Sequence, residues 1–261
     1  MSYRTANLLS IGNDAKTVKG LKKGILTGVM YLAPHSLSGH QVCPNASEGC
    51  KAACLYTSGH GRFTNTQVAR INKTKWFFED RESFMATMVK NVEALIRKAE
   101  REGLIPAVRL NGTSDIAWEK IACTRDGVQY RSIIEAFSEI QWYDYTKVLN
   151  RKRALSLPNY HLTFSLAEDN DLDAAKALVQ GYNLAVVMRL GKKDTKPETW
   201  SGFPVIDGDE TDVRFLDPKG GTVVALFAKG DAKKDDSGFV RDPQGGLNLQ
   251  ATNKINLKIA A

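Results

Sequence analysis

The apolar positions of this chain follow two rhythms. Between 80 and 101, Phe84, Met88, Val92, Leu95, Ile96 and Ala99 recur at steps of three and four, which puts them on one face of a helix. Asp80 can cap its start by accepting from free backbone N–H groups, and Gly103 can close it in a left-handed turn. The next run, Ile105-Pro-Ala-Val-Arg-Leu110, is short and apolar, and Pro106 bars it from a helix interior, so a strand is predicted over 105–110. Similar β-branched or aromatic runs stand at 140–145, 161–166, 184–189 and 222–227. An earlier one lies at 25–32, and a weaker pair at 203–206 and 212–215. Between two of these, DLDAAKALVQG (171–181) has the capped start, Ala/Leu body and terminal glycine of a second helix.

Strands that recur at intervals of about twenty to thirty-five residues, with room for a helix between them, imply parallel βαβ units. The predicted fold is therefore α/β: a complete or partial (β/α) TIM-like barrel forming a single domain over 1–261, with a doubly wound sheet as the alternative. Composition agrees, since 43% hydrophobic and 25% charged residues suffice for one core, and no linker, low-complexity tract or repeat divides the chain. Residues 1–14 hold no apolar stretch of signal-peptide length, and no run approaches the roughly 20 residues of a membrane span. The expected setting is the cytoplasm, away from any membrane.

Polar side chains gather at the predicted strand ends. Asn111, Ser114 and Asp115 follow the strand at 105–110; Asp144, Tyr145 and Lys147 follow 140–145; Ser165 and Glu168 follow 161–166; Arg189, the Asp207/Asp209/Asp212 group and Lys229 follow later ones. In parallel α/β folds the carboxyl ends of the strands converge on one rim, where sites are built. Asn111, Asp115, Asp144, Lys147 and Glu168 are accordingly the candidate catalytic residues, able to move protons or to bind a small polar or anionic substrate.

The cysteines add a metal. Three of the four, Cys43, Cys50 and Cys54, fall within twelve positions of the loop at 34–62, which is a poor disulfide framework and a good ligand set in a reducing compartment. Glycines at 39, 49, 59 and 61 let that loop turn tightly, and a helical turn would bring Cys50 and Cys54 to one face. Structural zinc favours paired short spacings and four closed N/S ligands; here the spacing is C-x6-C-x3-C, with His40 and His60 the nearby imidazoles. A [4Fe–4S] cluster accepts looser spacing, and Cys43-Pro44 is a pair familiar at cluster ligands. The cluster is the first expectation and zinc, closed by His60 or Cys123, the alternative. Cys123 reads either as a fourth ligand on the same rim or as a small apolar residue in the core.

The balance of 36 Lys+Arg over 29 Asp+Glu gives a net charge of +7. Its basic residues are scattered, at Lys22-Lys23, Arg151-Lys152-Arg153, Lys192-Lys193 and Lys233-Lys234, as on a solvated surface. A nucleic-acid partner would rest on residues 151–153, Lys147 and the aromatic residues Trp142, Tyr143 and Tyr145.

The runs CPNASEGCKAACL (43–55), AVRLNGTSDIAWE (107–119), YDYTK (143–147), NYHLTFS (159–165), VIDGD (205–209) and RFLDP (214–218) resemble an uncharacterised family of proteins encoded by tailed bacteriophages. That resemblance covers most of the chain and implies a viral protein working in the host cytoplasm. A more distant likeness is to radical S-adenosylmethionine enzymes, whose three cysteines sit in the loop after the first strand of a partial (β/α) barrel and leave one iron for the methionine moiety. The placement is similar. The spacing differs from that superfamily's C-x3-C-x2-C, and Gly208-Asp209-Glu210 is no counterpart of its Gly-Gly-Glu strand. The likeness thus implies a cluster at a barrel mouth, and the sequence does not carry S-adenosylmethionine binding with it.

Overall fold

The longest helix begins and ends where its capping residues require. In the computed structural model, which describes residues 4–12, 15–191 and 193–249, Asp80 accepts from the Ser83 N–H at 3.1 Å, and Gly103 takes the left-handed conformation with φ of 64°. Lys192 and the first three residues of the chain, which figure in the readings above, lie outside the described residues.

The elements in chain order are β1 (Leu9–Ile11), α1 (Ala15–Leu21), β2 (Ile25–Met30), α2 (Glu48–Ala52), α3 (Thr64–Glu79), α4 (Arg81–Glu102), β3 (Ile105–Arg109), β4 (Cys123–Arg125), β5 (Val128–Tyr130), α5 (Ile133–Ala136), β6 (Gln141–Thr146), α6 (Lys152–Leu155), β7 (Tyr160–Ser165), α7 (Asp171–Val179), β8 (Asn183–Met188), β9 (Thr199–Trp200), β10 (Phe203–Asp207) and β11 (Val223–Phe227). Nine strands form one sheet in the order β1-β2-β3-β6-β7-β8-β11-β10-β9. Every pairing from β2 across to β10 is parallel, and only the outermost pairs, β1 with β2 and β9 with β10, are antiparallel. The fold is mixed α/β, as predicted. From β2 to β8 the chain adds each parallel strand on the same side of the last, without the central reversal that defines a doubly wound sheet.

Alternation along the strands sorts the two faces. Leu26, Val108, Trp142, Leu162, Phe164, Leu184 and Val186 pack with Phe84, Met88, Val92 and Leu95 of α4 in the main core. The opposite face carries Ile25, Ala107 and Tyr143, covered by Val213 and Phe215.

The segment 212–215, predicted as a strand, is not one: Arg214–Leu216 form a single 3₁₀ turn against β6 and β7. The reason is local charge. Arg214 donates to the Thr211 carbonyl and pairs with Asp217 at 3.3 Å, while Asp212 is held by Arg109 at 2.8 Å. These contacts fold the segment onto itself and down onto the sheet face instead of into a ladder. The run 203–206 does form a strand, β10.

A second buried charge group ties the outer layer to the sheet. Arg151 makes a two-pronged contact with Glu119, Nε to Oε1 at 2.7 Å and Nη2 to Oε2 at 2.6 Å, and both side chains are almost wholly buried. Its Nη1 also reaches Asp115 Oδ1 at 3.4 Å.

Candidate functional site

The loop that follows β2 runs over the carboxyl ends of the parallel strands. Cys43 lies in its irregular part, Cys50 in the short helix α2, and Cys54 just beyond that helix. Ser47 caps α2 by accepting from the Cys50 N–H at 3.2 Å. The segment is thus helical at Cys50 as the spacing suggested, but the helix ends at Ala52 and Cys54 opens a separate 3₁₀ turn.

All three thiols are half-buried and none is in a disulfide. Burial pushes the Cys43 thiol up to about 12, with the charges of Cys54, Asp115 and Cys50 adding to the rise and the His35 N–H opposing it. Cys54 is also raised, by burial and by Cys50, against the Tyr56 N–H and the cations Lys147 and Arg70. Each thiol of the loop is therefore within electrostatic reach of another. Among the described residues, no three His, Cys, Asp or Glu side chains stand in an arrangement suited to one metal ion.

The loop is braced from several directions. His35, held at φ of 41°, directs its N–H at Cys43 Sγ at 3.3 Å, and Cys43 Sγ in turn faces the Thr113 carbonyl at 3.7 Å. Glu168 clamps the start of α2, accepting from Ser47 Oγ and from the Gly49 N–H, both at 2.6 Å. Beneath Cys50, Ala53, Ala167, Ala228, Ala232, Phe239 and Val240 form a small apolar floor. A Cβ on Gly49 would meet Ser237 Oγ and both Glu168 oxygens, so any larger residue there must push these side chains out of the clamp. Gly49→Ala should displace α2, lowering stability by about 1–3 kcal/mol in urea unfolding.

The strand-end candidates divide into two groups. Lys147 and Glu168 reach the cysteine loop: Asn45 Nδ2 donates to the Lys147 carbonyl at 3.1 Å, and Lys147 Nζ donates to Ser165 Oγ at 3.2 Å. Asp115 links the groups, since its Oδ2 accepts from the Lys147 N–H at 2.7 Å and its charge bears on Cys43. Burial raises its carboxyl, against the hydrogen bonds from Lys147 and Thr146 and the Arg151 charge.

Asn111 and Asp144 lie deeper. Asn111 Oδ1 accepts from Ser114 Oγ, the Ile116 N–H and Trp118 Nε1 at 2.8, 2.9 and 3.1 Å, shaping the loop after β3. Asp144 accepts from the Asn111 N–H at 2.6 Å and from Tyr160 OH at 2.9 Å. Burial lifts its carboxyl to about 7. The unfolded chain ionises near 3.9, so the folded protein binds the extra proton between about pH 4 and 7. This group's contribution to stability is full below about pH 4 and is lost as pH rises through 7. Asp144→Asn should remove that falling component, measured as a flatter dependence of unfolding free energy on pH over the same window.

Cys123 stands apart from the rim. It lies in the β4–β5 hairpin, packed on α4 in the main core, and the charges that bear on it are those of Arg125 and Glu135, not of the loop thiols. The hairpin turns through Asp126-Gly127, both at positive φ. Of the loop's three histidines, two have their imidazoles engaged with rings: His40 stacks on Phe78 with centroids 4.4 Å apart, and His60 tilts against Phe63 at 5.9 Å. Of the residues considered for nucleic acid, Arg151, Trp142 and Tyr143 are buried, and Arg153 pairs with Glu135 at 2.9 Å.

Sequence reasoning did not identify His35, Arg70 or the 237–240 segment as part of this site. Arg70 sits on α3 with its guanidinium over Tyr31 at 4.7 Å and Tyr56 at 5.8 Å, facing Cys54. The stretch 237–240 closes the loop from nearly two hundred positions away, a proximity no spacing encodes. No described helix is long and apolar enough to cross a membrane.

A family model described as "Gene product 88" matches residues 7–243. No curated protein matches the chain, and neither does any solved structure.

Proposed function

We propose that this chain, which belongs to the gene product 88 family, carries a [4Fe–4S] cluster on Cys43, Cys50 and Cys54 at the carboxyl-end rim of a partial (β/α) barrel. The observation that carries the reading is the gathering of three half-buried free thiols in one braced loop, with Cys50 and Cys54 both bearing on Cys43 and Cys50 bearing on Cys54. Burial makes Cys43 and Cys54 resist ionisation on their own, and iron bound to the thiolates would offset that cost. The donor set fits an anionic cluster, since Lys147 and Arg70 both favour the ionised form of Cys54. Ligation also needs the three side chains to turn toward a common centre.

The protein's own groups would then hold and tune the site. Backbone N–H groups of His35 and Tyr56 are directed at the sulfurs of Cys43 and Cys54, and hydrogen bonds to thiolate sulfur are among the features that set cluster potentials. Glu168 and Asp115 fix the backbone on either side. Cys123 is left out of the ligand set because its neighbours are Arg125 and Glu135, so one iron would lack a cysteine. Bound here, the cluster would supply electron transfer or Lewis acidity at that iron. The same-sided addition of strands from β2 to β8 supports the partial barrel over the doubly wound alternative. On this reading the protein acts in the reducing cytoplasm of a phage-infected cell.

Anaerobic reconstitution with ferrous iron and sulfide tests the proposal. A brown protein whose visible absorption survives gel filtration is the expected result. A folded, colourless protein that instead takes up zinc in stoichiometric amount would replace the cluster with a structural zinc.

A further inference from the structure

One cation that bears on Cys54, Lys147, has donors to spare. Lys147 is placed at the end of β6 by its own backbone, whose N–H is accepted by Asp115 and whose carbonyl is held by Asn45. Its ammonium donates to Ser165 Oγ at 3.2 Å and stands 5.8 Å from the Phe239 ring centroid. Its charge is felt at Cys54, Asp115 and Asp169, which locates it over the rim between the cysteine loop and the end of β7.

An ammonium carries three donors, and Ser165 takes one. Among the described residues, no carboxylate forms a salt bridge with Lys147 Nζ: Asp169 is exposed and beyond ion-pair distance, and the other two nearby acids are committed elsewhere. Asp115 is engaged by the Lys147 backbone and by Arg151, and Glu168 by Ser47 and Gly49. The result is a half-buried cation, oriented by a hydroxyl and backed by an aromatic ring, with two N–H groups unused beside the proposed cluster.

We infer that Lys147 binds the anionic oxygens of a small ligand, a carboxylate or a phosphate, at the rim beside Cys54. The inference rests on the cluster reading above and names the substrate class of that same site. Charge-assisted hydrogen bonds from a partly desolvated ammonium give such a ligand both affinity and orientation.

The test uses the reconstituted holoprotein. Iron is measured first, and then the electron paramagnetic resonance spectrum of the reduced cluster is followed as acetate is added in one arm and inorganic phosphate in the other. A saturable spectral change is expected in one arm, and that arm names the anion. Lys147→Gln should weaken the half-saturation concentration at least tenfold, and Lys147→Arg should restore most of it. Ser165→Ala, which removes only the orienting hydroxyl, should weaken it several-fold and serves if Lys147→Gln loses iron or its cooperative melt. A loaded cluster that responds to neither anion, or equally in wild type and the Lys147 and Ser165 variants, would overturn the inference. A protein that takes up no cluster fails at the iron measurement, before any anion is added, and that failure belongs to the cluster reading.

Discussion

Cys43→Ser, Cys50→Ser and Cys54→Ser should each reduce the iron retained by anaerobically purified protein more than tenfold, whereas Cys123→Ser should leave it at the wild-type level. The contrast follows from placement. The first three thiols lie in one loop, where Cys50 bears on the ionisation of both Cys43 and Cys54, while Cys123 lies in a hairpin on α4 among Arg125 and Glu135. Serine preserves size and removes the soft thiolate that iron needs, so a folding defect would not by itself produce the pattern. Circular dichroism and thermal melts of all four variants separate loss of ligand from loss of fold. Equal losses at Cys123 and the loop cysteines would bring Cys123 into the ligand set.

Glu119→Ala should be the most damaging single change to stability, at about 3–5 kcal/mol in urea unfolding. It leaves the Arg151 guanidinium, 1% exposed, without the carboxylate that both of its prongs contact. The contacts that remain are long, to the hydroxyls of Thr146 at 3.3 Å and Tyr160 at 3.4 Å and to Asp115 at 3.4 Å, and Asp115 is the one carboxylate among them and is shared with the Lys147 backbone. Replacing both members, as Glu119→Leu with Arg151→Met, should recover much of the loss, because a well-packed apolar pair avoids the desolvation cost. A single and a double variant of equal stability would mean that Arg151 finds compensation elsewhere. The pair also bears on the site, since Asp115 joins Arg151 to the backbone of Lys147.

Much of the sheet was legible because its strands are short, nearly continuous apolar runs buried in the core on both faces of the sheet. Runs at 25–32, 105–110, 140–145, 161–166, 184–189 and 222–227 all fall on parallel strands, within a residue or two at their ends. The helix at 80–101 was legible because it buries one regular face, with Phe84, Met88, Val92 and Leu95 all in the core. By contrast α3, sixteen residues long, went unread because its buried side includes Arg70, Lys73 and Thr74 as well as Trp76 and Phe77. That polar interior hides the helical period, and it is also what brings Arg70 to Cys54. The β4–β5 hairpin did announce itself, through Asp126-Gly127. Reading that dipeptide would have lifted Cys123 off the rim and into a hairpin.

At the site, residue types were easier to foresee than depth. Lys147 and Glu168 meet the cysteine loop as their strand-end positions suggested. Asn111 and Asp144, chosen on the same ground, are buried, 2% and 1% exposed, and the Asn111 N–H donates to the Asp144 carboxylate. The difference lies in how far each side chain projects beyond the last ladder bond, which alternation alone does not tell. Segments from distant parts of the chain, such as Ser237 and Phe239, reach the loop only through the path of the whole fold.

The central claim is that this loop holds iron and sulfide together. Its most direct test is iron, sulfide and zinc analysis of protein purified without oxygen, with electron paramagnetic resonance of the reduced sample. The account predicts about four iron and four sulfide per chain and a cluster signal; folded protein with neither iron nor sulfide, or with one zinc in their place, would contradict it.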